Sequence, residues 1–278
     1  MAMSEQLRLL FNITHFFADL GQDFTAAVAP ACIILLQTTW PAPVLQPTLA
    51  SVINALLCLD LKAAAGLRQK DGSPSTTIHK DVVRSLVKVL DRATLEHDEK
   101  DLEQGAAPLC TLLRKVYELA DGDVRGEMQG LLLPTEHDRR KPLGQGSSIS
   151  ARLLRMCGSP LLPSLRENIS NLLYELSDKD PERFVYNVGY GHASGFLLSH
   201  NIAVPVDGVS QEIPSSDPVN PVTGQNLAME SDDHDGLPEM TDEEKEREAE
   251  RLFVLFERLK ATGVVDVKNP VEDYRDKQ

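Results

Sequence analysis

Apolar residues recur at helical spacing along the first 200 residues of the chain, and nowhere with the strict alternation of a strand. Leu109, Leu112, Leu113, Val116 and Leu119 form one stripe, and Ile169, Leu172, Leu173 and Leu176 form another. Val82, Val83, Leu86, Val89 and Leu90 repeat in the same way. Residues three and four apart share one face of a helix, so each stripe predicts an amphipathic helix that must bury that face against a neighbour. Leu7, Leu10, Phe11, Phe17 and Leu20 predict a first helix. Residues 26–37 and 45–61 predict a second and third, joined by a corner at Pro41, Pro43 and Pro47. Short breakers at 65–75 (AGLRQKDGSPS), 120–123 (ADGD) and 177–181 (SDKDP) separate the later helices. The expected fold is all-α. Helix pairs recurring at about 40 residues fall in the range of armadillo and HEAT repeats, so the expectation is an armadillo/HEAT-like α-solenoid.

A hydrophobic content of 42% with only 5% aromatics suits Leu- and Ala-rich helix packing better than a β-sandwich. Cys32, Cys58, Cys110 and Cys157 are widely spaced in apolar helical contexts, which predicts buried reduced thiols. Residues 24–59 carry no charge, yet prolines interrupt them and the longest apolar run falls well short of the ~20 residues of a membrane span. The first residues, MAMSEQLRLLFN, lack the basic region and apolar run of a secretory signal.

From residue 204 the composition changes. Between 207 and 250 there are fourteen acidic residues against Lys245 and Arg247, which accounts for −12 of the net charge of −14. Residues 204–238 are also rich in Pro, Ser, Asp and Gly, and are expected to form a flexible or surface-draped linker. Order returns at Thr241. Thr241 and Glu244 fit a capping box, and Leu252, Leu255, Phe256 and Leu259 make an apolar stripe. The expected division is therefore repeats at 1–203, a linker at 204–238, and an amphipathic helix and tail at 239–278. That helix buries its stripe either on the repeats or on a partner.

Catalytic chemistry finds little support. The pattern GxxxxGK[ST] is absent, and GYGHASG (189–195) misses the dinucleotide fingerprint in spacing and follows no strand. It reads instead as a tight turn opening a helix over 192–200. The seven histidines are scattered, with His192 and His200 too far apart to share a metal ion, and the acidic run 230–244 lacks the EF-hand register. Arg139, Arg140 and Lys141, followed by Arg152 and Arg155, form the densest basic cluster. An acidic chain without interleaved aromatics argues against nucleic acid, so these cations are expected to pair with carboxylates of the chain's own tail or of a protein partner. Asn12, Asn54 and Asn171 lie on predicted helices, where each either projects from the inner face or bonds its own helix.

Three segments in order, RFVYNVGYGHASGFL (183–197), NPVTG (220–224) and EMTDEEKEREAERLFVLFERL (239–259), resemble the synembryn family of chaperones and nucleotide-exchange factors for heterotrimeric G-protein α subunits. The resemblance implies an α-solenoid whose inner face grips the carboxy-terminal helix of a Gα subunit, with the following segment supporting the loosened nucleotide domain. It implies no cofactor and no catalytic residue. The partner-binding residues it suggests are Arg8, Asn12, Asn54, Arg114, Asn171 and Glu175 on the inner face, with Leu252, Leu255 and Phe256 on the carboxy-terminal helix. It also implies a cytoplasmic protein, recruited to the cell cortex with its G-protein partner. Members of the family carry further repeats before the LRLLFNIT-like helix, so this chain is expected to match the carboxy-terminal part of a longer solenoid and to expose an apolar face on its first helix. Ser215, Ser216 and Ser231 sit among acids, but none has an acid three positions on, which makes them poor sites for an acid-directed kinase. A generic armadillo-type scaffold without exchange activity is the alternative, because fold alone does not specify function.

Overall fold

A computed structural model describes residues 2–62, 80–203 and 219–229, together with 241, 244, 245, 247, 248, 250, 251, 253 and 254. The chain divides into two compact units, Met1–Glu230 and Ser231–Gln278.

The first unit is helical. Among the described residues it holds α1 (Ala2–Phe16), α2 (Val28–Gln37), α3 (Pro47–Cys58), α4 (Lys80–Glu96), α5 (Glu99–Leu119), α6 (Gly122–Leu132), α7 (Ile149–Cys157), α8 (Pro163–Leu176), α9 (Pro181–Val188) and α10 (Tyr190–Ser199). The sole extended pairing among them is an isolated bridge between Val219 and Asn226. The boundaries follow from local chemistry. Asp98, Asp121, Ser148 and Asp180 each accept a backbone N–H of the first turn of α5, α6, α7 and α9 at 2.8–3.2 Å, satisfying donors that have no partner within the helix. Pro47, Pro163 and Pro181 open α3, α8 and α9, where the missing N–H costs nothing.

The periodic stripes become the core. α1, α3, α5 and α8 lie side by side as one row, each packed on the next. Leu49, Val52, Ile53 and Leu56 of α3, Leu109, Leu112, Leu113 and Val116 of α5, and Ile169, Leu172, Leu173 and Leu176 of α8 are all buried. A second set backs this row: α2 packs on α3, α4 on α5, and α7 on α8. Polar bonds fix how the rows sit. Lys115 on α5 donates to the carbonyls of Leu57 and Leu59 at 2.9 and 2.7 Å, capping the end of α3 with a cation. Glu103 on α5 accepts the backbone N–H groups of Ser164 and Leu165 at 2.8 and 3.0 Å. It thereby caps α8, which has no cap of its own. Arg84 on α4 meets Glu127 on α6 at 2.8 Å, and Arg152 on α7 bonds Asp91 and Thr94 on α4. The proline corner is tied down by Leu45, whose N–H donates to His97 Nε2 at 3.0 Å, and by Arg92, which donates to the Trp40 carbonyl at 2.9 Å.

The second helix starts two residues later than its pattern suggests, after a 3-10 turn at Thr25–Ala27. On α1, Leu7 is buried, but Leu9 and Phe16 are exposed, as are Phe17 and Leu20 just beyond it. All four cysteines are free thiols. Burial pushes Cys110 up to about 12, with the neighbouring Cys157 thiol adding to the shift.

In the second unit Thr241 and Glu244 form the expected capping box. The Glu244 carboxylate accepts the Thr241 N–H at 3.0 Å, and the Glu244 N–H donates to Thr241 Oγ1 at 3.4 Å. Helical backbone follows at the described positions through Val254, with Arg251 paired to Glu248 at 3.3 Å.

Candidate functional site

The row α1–α3–α5–α8 gathers most of the residues singled out from sequence. Arg8 and Asn12 on α1 face Asn54 on α3 across a cleft of about 540 Å³, lined also by Phe11, Pro47 and Ser51. The spacing explains the meeting: Arg8 and Asn12 are one turn apart, as are Pro47, Ser51 and Asn54 along α3. Neither asparagine makes a side-chain hydrogen bond among the described residues. Among the described residues Arg8 pairs with Glu5, at 3.5 Å and exposed to solvent.

Further along the row, Arg114 on α5 reaches Glu175 on α8 at 3.3 Å, and Lys179 meets the same carboxylate at 3.3 Å. Asn171 bonds its own helix instead, donating to the Glu167 carbonyl and carboxylate at 2.8 and 2.7 Å. The residue that bridges to α5 is Asn168, whose Oδ1 accepts from Thr111 at 2.9 Å. Sequence periodicity could have found it, since Asn168 and Asn171 share a face of α8. Leu252, Leu255 and Phe256 lie outside the described residues. Beside them, Phe253 is half-buried and Val254 exposed.

The basic cluster behaves differently from its expectation. Arg139 is buried rather than presented to a carboxylate, with Nη1 donating to the Gly224 carbonyl at 2.9 Å and Nη2 to the Tyr186 carbonyl at 3.0 Å. Its guanidinium also lies 4.6 Å from the centre of the Tyr186 ring. Arg155 donates to the carbonyls of Gly144 and Gly146, and among the described residues Arg152 alone of the cluster pairs with an acid, Asp91. The physical reason is that main-chain carbonyls of two loops converge here, and a guanidinium with five donors satisfies several at once.

Arg139 thereby fastens residues 219–229, which fall in the stretch read as linker, onto the end of the helical row. The N–H groups of Leu143, Tyr190 and Gly191 donate to the carbonyls of Thr223, Pro221 and Val222 at 3.0, 2.8 and 3.2 Å, and Asn226 N–H donates to the Arg139 carbonyl at 2.8 Å. GYGHASG is the receiving turn. Gly189 adopts φ of 81°, and a Cβ there would lie 2.9 Å from the Val222 carbonyl, so both conformation and space require glycine. Gly224, at φ of 67°, is pressed against Leu143 in the same way.

His192, at this junction, is partly buried. Burial lowers its pKa below the ordinary 6.5, against a hydrogen bond to the Leu143 backbone that raises it. A histidine depressed in the folded state binds fewer protons than in the unfolded chain. Its contribution to stability is therefore complete above about 6.5 and shrinks as pH falls below that value. Thermal midpoints measured between pH 7.5 and 5.5 should fall less steeply for His192→Gln than for the unaltered chain; identical slopes would exclude this contribution.

Among the described residues, no group of three or more His, Cys, Asp or Glu side chains is placed to hold a metal ion, and no helix is long and apolar enough to cross a membrane. Among its described residues the first unit is an all-α array in two layers, α1–α3–α5–α8 backed by α2, α4 and α7. A family model described as guanine nucleotide exchange factor synembryn matches residues 1–277, and the chain belongs to that family. It is 30% identical to a synembryn-like chaperone of Schizosaccharomyces pombe over 98% of this chain and 54% of that protein. It is 25% identical to the chaperone Ric-8A of Xenopus tropicalis over 79% of this chain and 41% of that protein, and 24% identical to the one of Macaca fascicularis over 76% and 40%. The chain thus spans about half the length of the relatives it matches.

Proposed function

We propose that the α1–α3–α5–α8 face binds the α subunit of a heterotrimeric G protein and stabilises its nucleotide-free state. The chain then acts by binding, as an exchange factor and folding chaperone, with no bond-making chemistry of its own. The observation that carries this reading is the match to the exchange-factor family over residues 1–277. The cleft between Arg8, Asn12 and Asn54 supports it, because it offers unbonded amides and a cation on one helix-lined surface.

The mechanism is differential affinity. Nucleotide and α subunit stabilise each other, so a partner that prefers the empty conformation shifts the population toward it and lowers nucleotide affinity by the same factor. GTP reverses the shift by the same linkage. Offered to a newly made α subunit, the same grip covers apolar surface until nucleotide completes the fold. In this reading the repeats at 1–203 form the grip, 204–238 the connection, and the helix at 239–278 a second contact through Leu252, Leu255 and Phe256. The setting is the cytoplasm and, with the G protein, the cell cortex.

Capture of nucleotide-free α subunit by the immobilised chain tests the surface. The triple variant Arg8→Ala, Asn12→Ala, Asn54→Ala is expected to lower affinity about tenfold or more, since a few central residues dominate most interfaces. Its melting transition should stay near that of the unaltered chain because the three side chains are not part of the core. Unchanged affinity would place the contact elsewhere.

A further inference from the structure

We infer that Arg114 recognises a carboxylate of the bound partner, and that Glu175 is a built-in competitor which holds Arg114 while the face is empty. This rests on the reading of the face as partner-binding. A guanidinium carries five N–H donors in a rigid fork matched to a carboxylate. Arg114 uses one of them, in a single bond to Glu175 Oε1 at 3.3 Å, longer than a charge-assisted pair normally adopts. Its Nε is sealed from solvent and has no hydrogen-bond partner among the described residues. A buried donor left unpaired is costly and calls for an explanation, and an acceptor brought by the partner as Arg114 turns toward it supplies one.

The surroundings separate Arg114 from the other cations of this region. Lys115 is committed to the ends of α3, and Arg183 to Asp178 at 2.6 Å. Thr111 and Asn168 satisfy each other, and Asn171 is bonded to its own turn. Glu175 is shared between Arg114 and Lys179, so its loss from Arg114 leaves it still paired. An arriving carboxylate can therefore take the fork of Arg114 while Glu175 turns to Lys179. A phosphate dianion suits the place less well, because Glu175, Glu167 and Asp178 stand on the same stretch of α8 and the turn after it.

Two measurements test this on the whole chain. In the first, the Nε–H resonance of Arg114, assigned by its loss in Arg114→Lys, is followed during titration with sodium acetate and, at equal ionic strength, with sodium chloride. Acetate should shift this signal saturably in Glu175→Gln and only weakly in the unaltered chain, while chloride leaves it in place. In the second, capture of nucleotide-free α subunit should weaken about tenfold in Arg114→Ala and tighten several-fold in Glu175→Gln. Glu175→Gln should have no effect once Arg114 is alanine. If Arg114→Ala melts early, Arg114→Lys takes its place, keeping the aliphatic stem and losing the fork. An Arg114 signal indifferent to acetate in Glu175→Gln overturns the inference, as does a Glu175→Gln effect that persists without Arg114. If the unaltered chain captures no α subunit, the proposed function fails, and the acetate titration still decides the role of Arg114.

Discussion

Replacing Arg139 by alanine is expected to destabilise the chain by about 2–4 kcal/mol and to free residues 219–229 from the end of the helical row. Only 4% of Arg139 is exposed. Burial lowers its pKa, with Tyr186, Glu136 and Asp138 opposing that shift, and two carbonyls 47 and 85 residues away depend on its donors. Alanine leaves both carbonyls unpaired in a buried place, removes the stacking on Tyr186, and opens a void. Arg139→Lys keeps the charge but offers no planar fork, so it should recover only part of the loss. Urea denaturation reads the stability, and the rate of proteolytic cleavage within 219–229 reads the detachment. A loss below about 0.5 kcal/mol, within the range of ordinary surface substitutions, would show that the backbone bonds hold this segment without the arginine.

Phe184→Ala should have an effect of similar or larger size, about 3–5 kcal/mol. Phe184 is 1% exposed and meets Tyr174 and Phe196 at ring-centre distances of 5.4 and 5.6 Å, edge to face in both cases. These three rings join α8, α9 and α10, so the substitution loosens the platform on which Tyr190 and Gly191 hold residues 221 and 222. Phe184→Leu fills most of the volume and should lose roughly half as much. Both variants are compared by urea denaturation. Equal stability of Phe184→Ala and the unaltered chain would mean that the cluster repacks without cost.

Much of this arrangement was readable from residue order. The stripes on α3, α5 and α8 are buried where their spacing places them, and the capping box at Thr241 forms as its residues suggest. Arg8, Asn12 and Asn54 share a cleft because helical period alone sets which residues of a helix share a face. Arg139 was not readable in this way. A run of Arg139, Arg140 and Lys141 looks like exposed charge, and the partners of Arg139 are main-chain carbonyls, which have no residue identity to recognise. The docking of NPVTG was hidden for the same reason, since it is made largely of backbone bonds between segments far apart in the chain. Asn171 illustrates the remaining ambiguity. An amide on an inner helix can reach a ligand or its own preceding turn, and side-chain rotamer decides between them.

Release of labelled GDP from purified Gα, in the presence and absence of this chain, tests the proposed exchange activity. Release should accelerate in proportion to added chain, the acceleration should be lost in the Arg8, Asn12, Asn54 triple variant, and a complex should form that a non-hydrolysable GTP analogue dissociates. Unaltered GDP release by a chain that is folded by circular dichroism would contradict it.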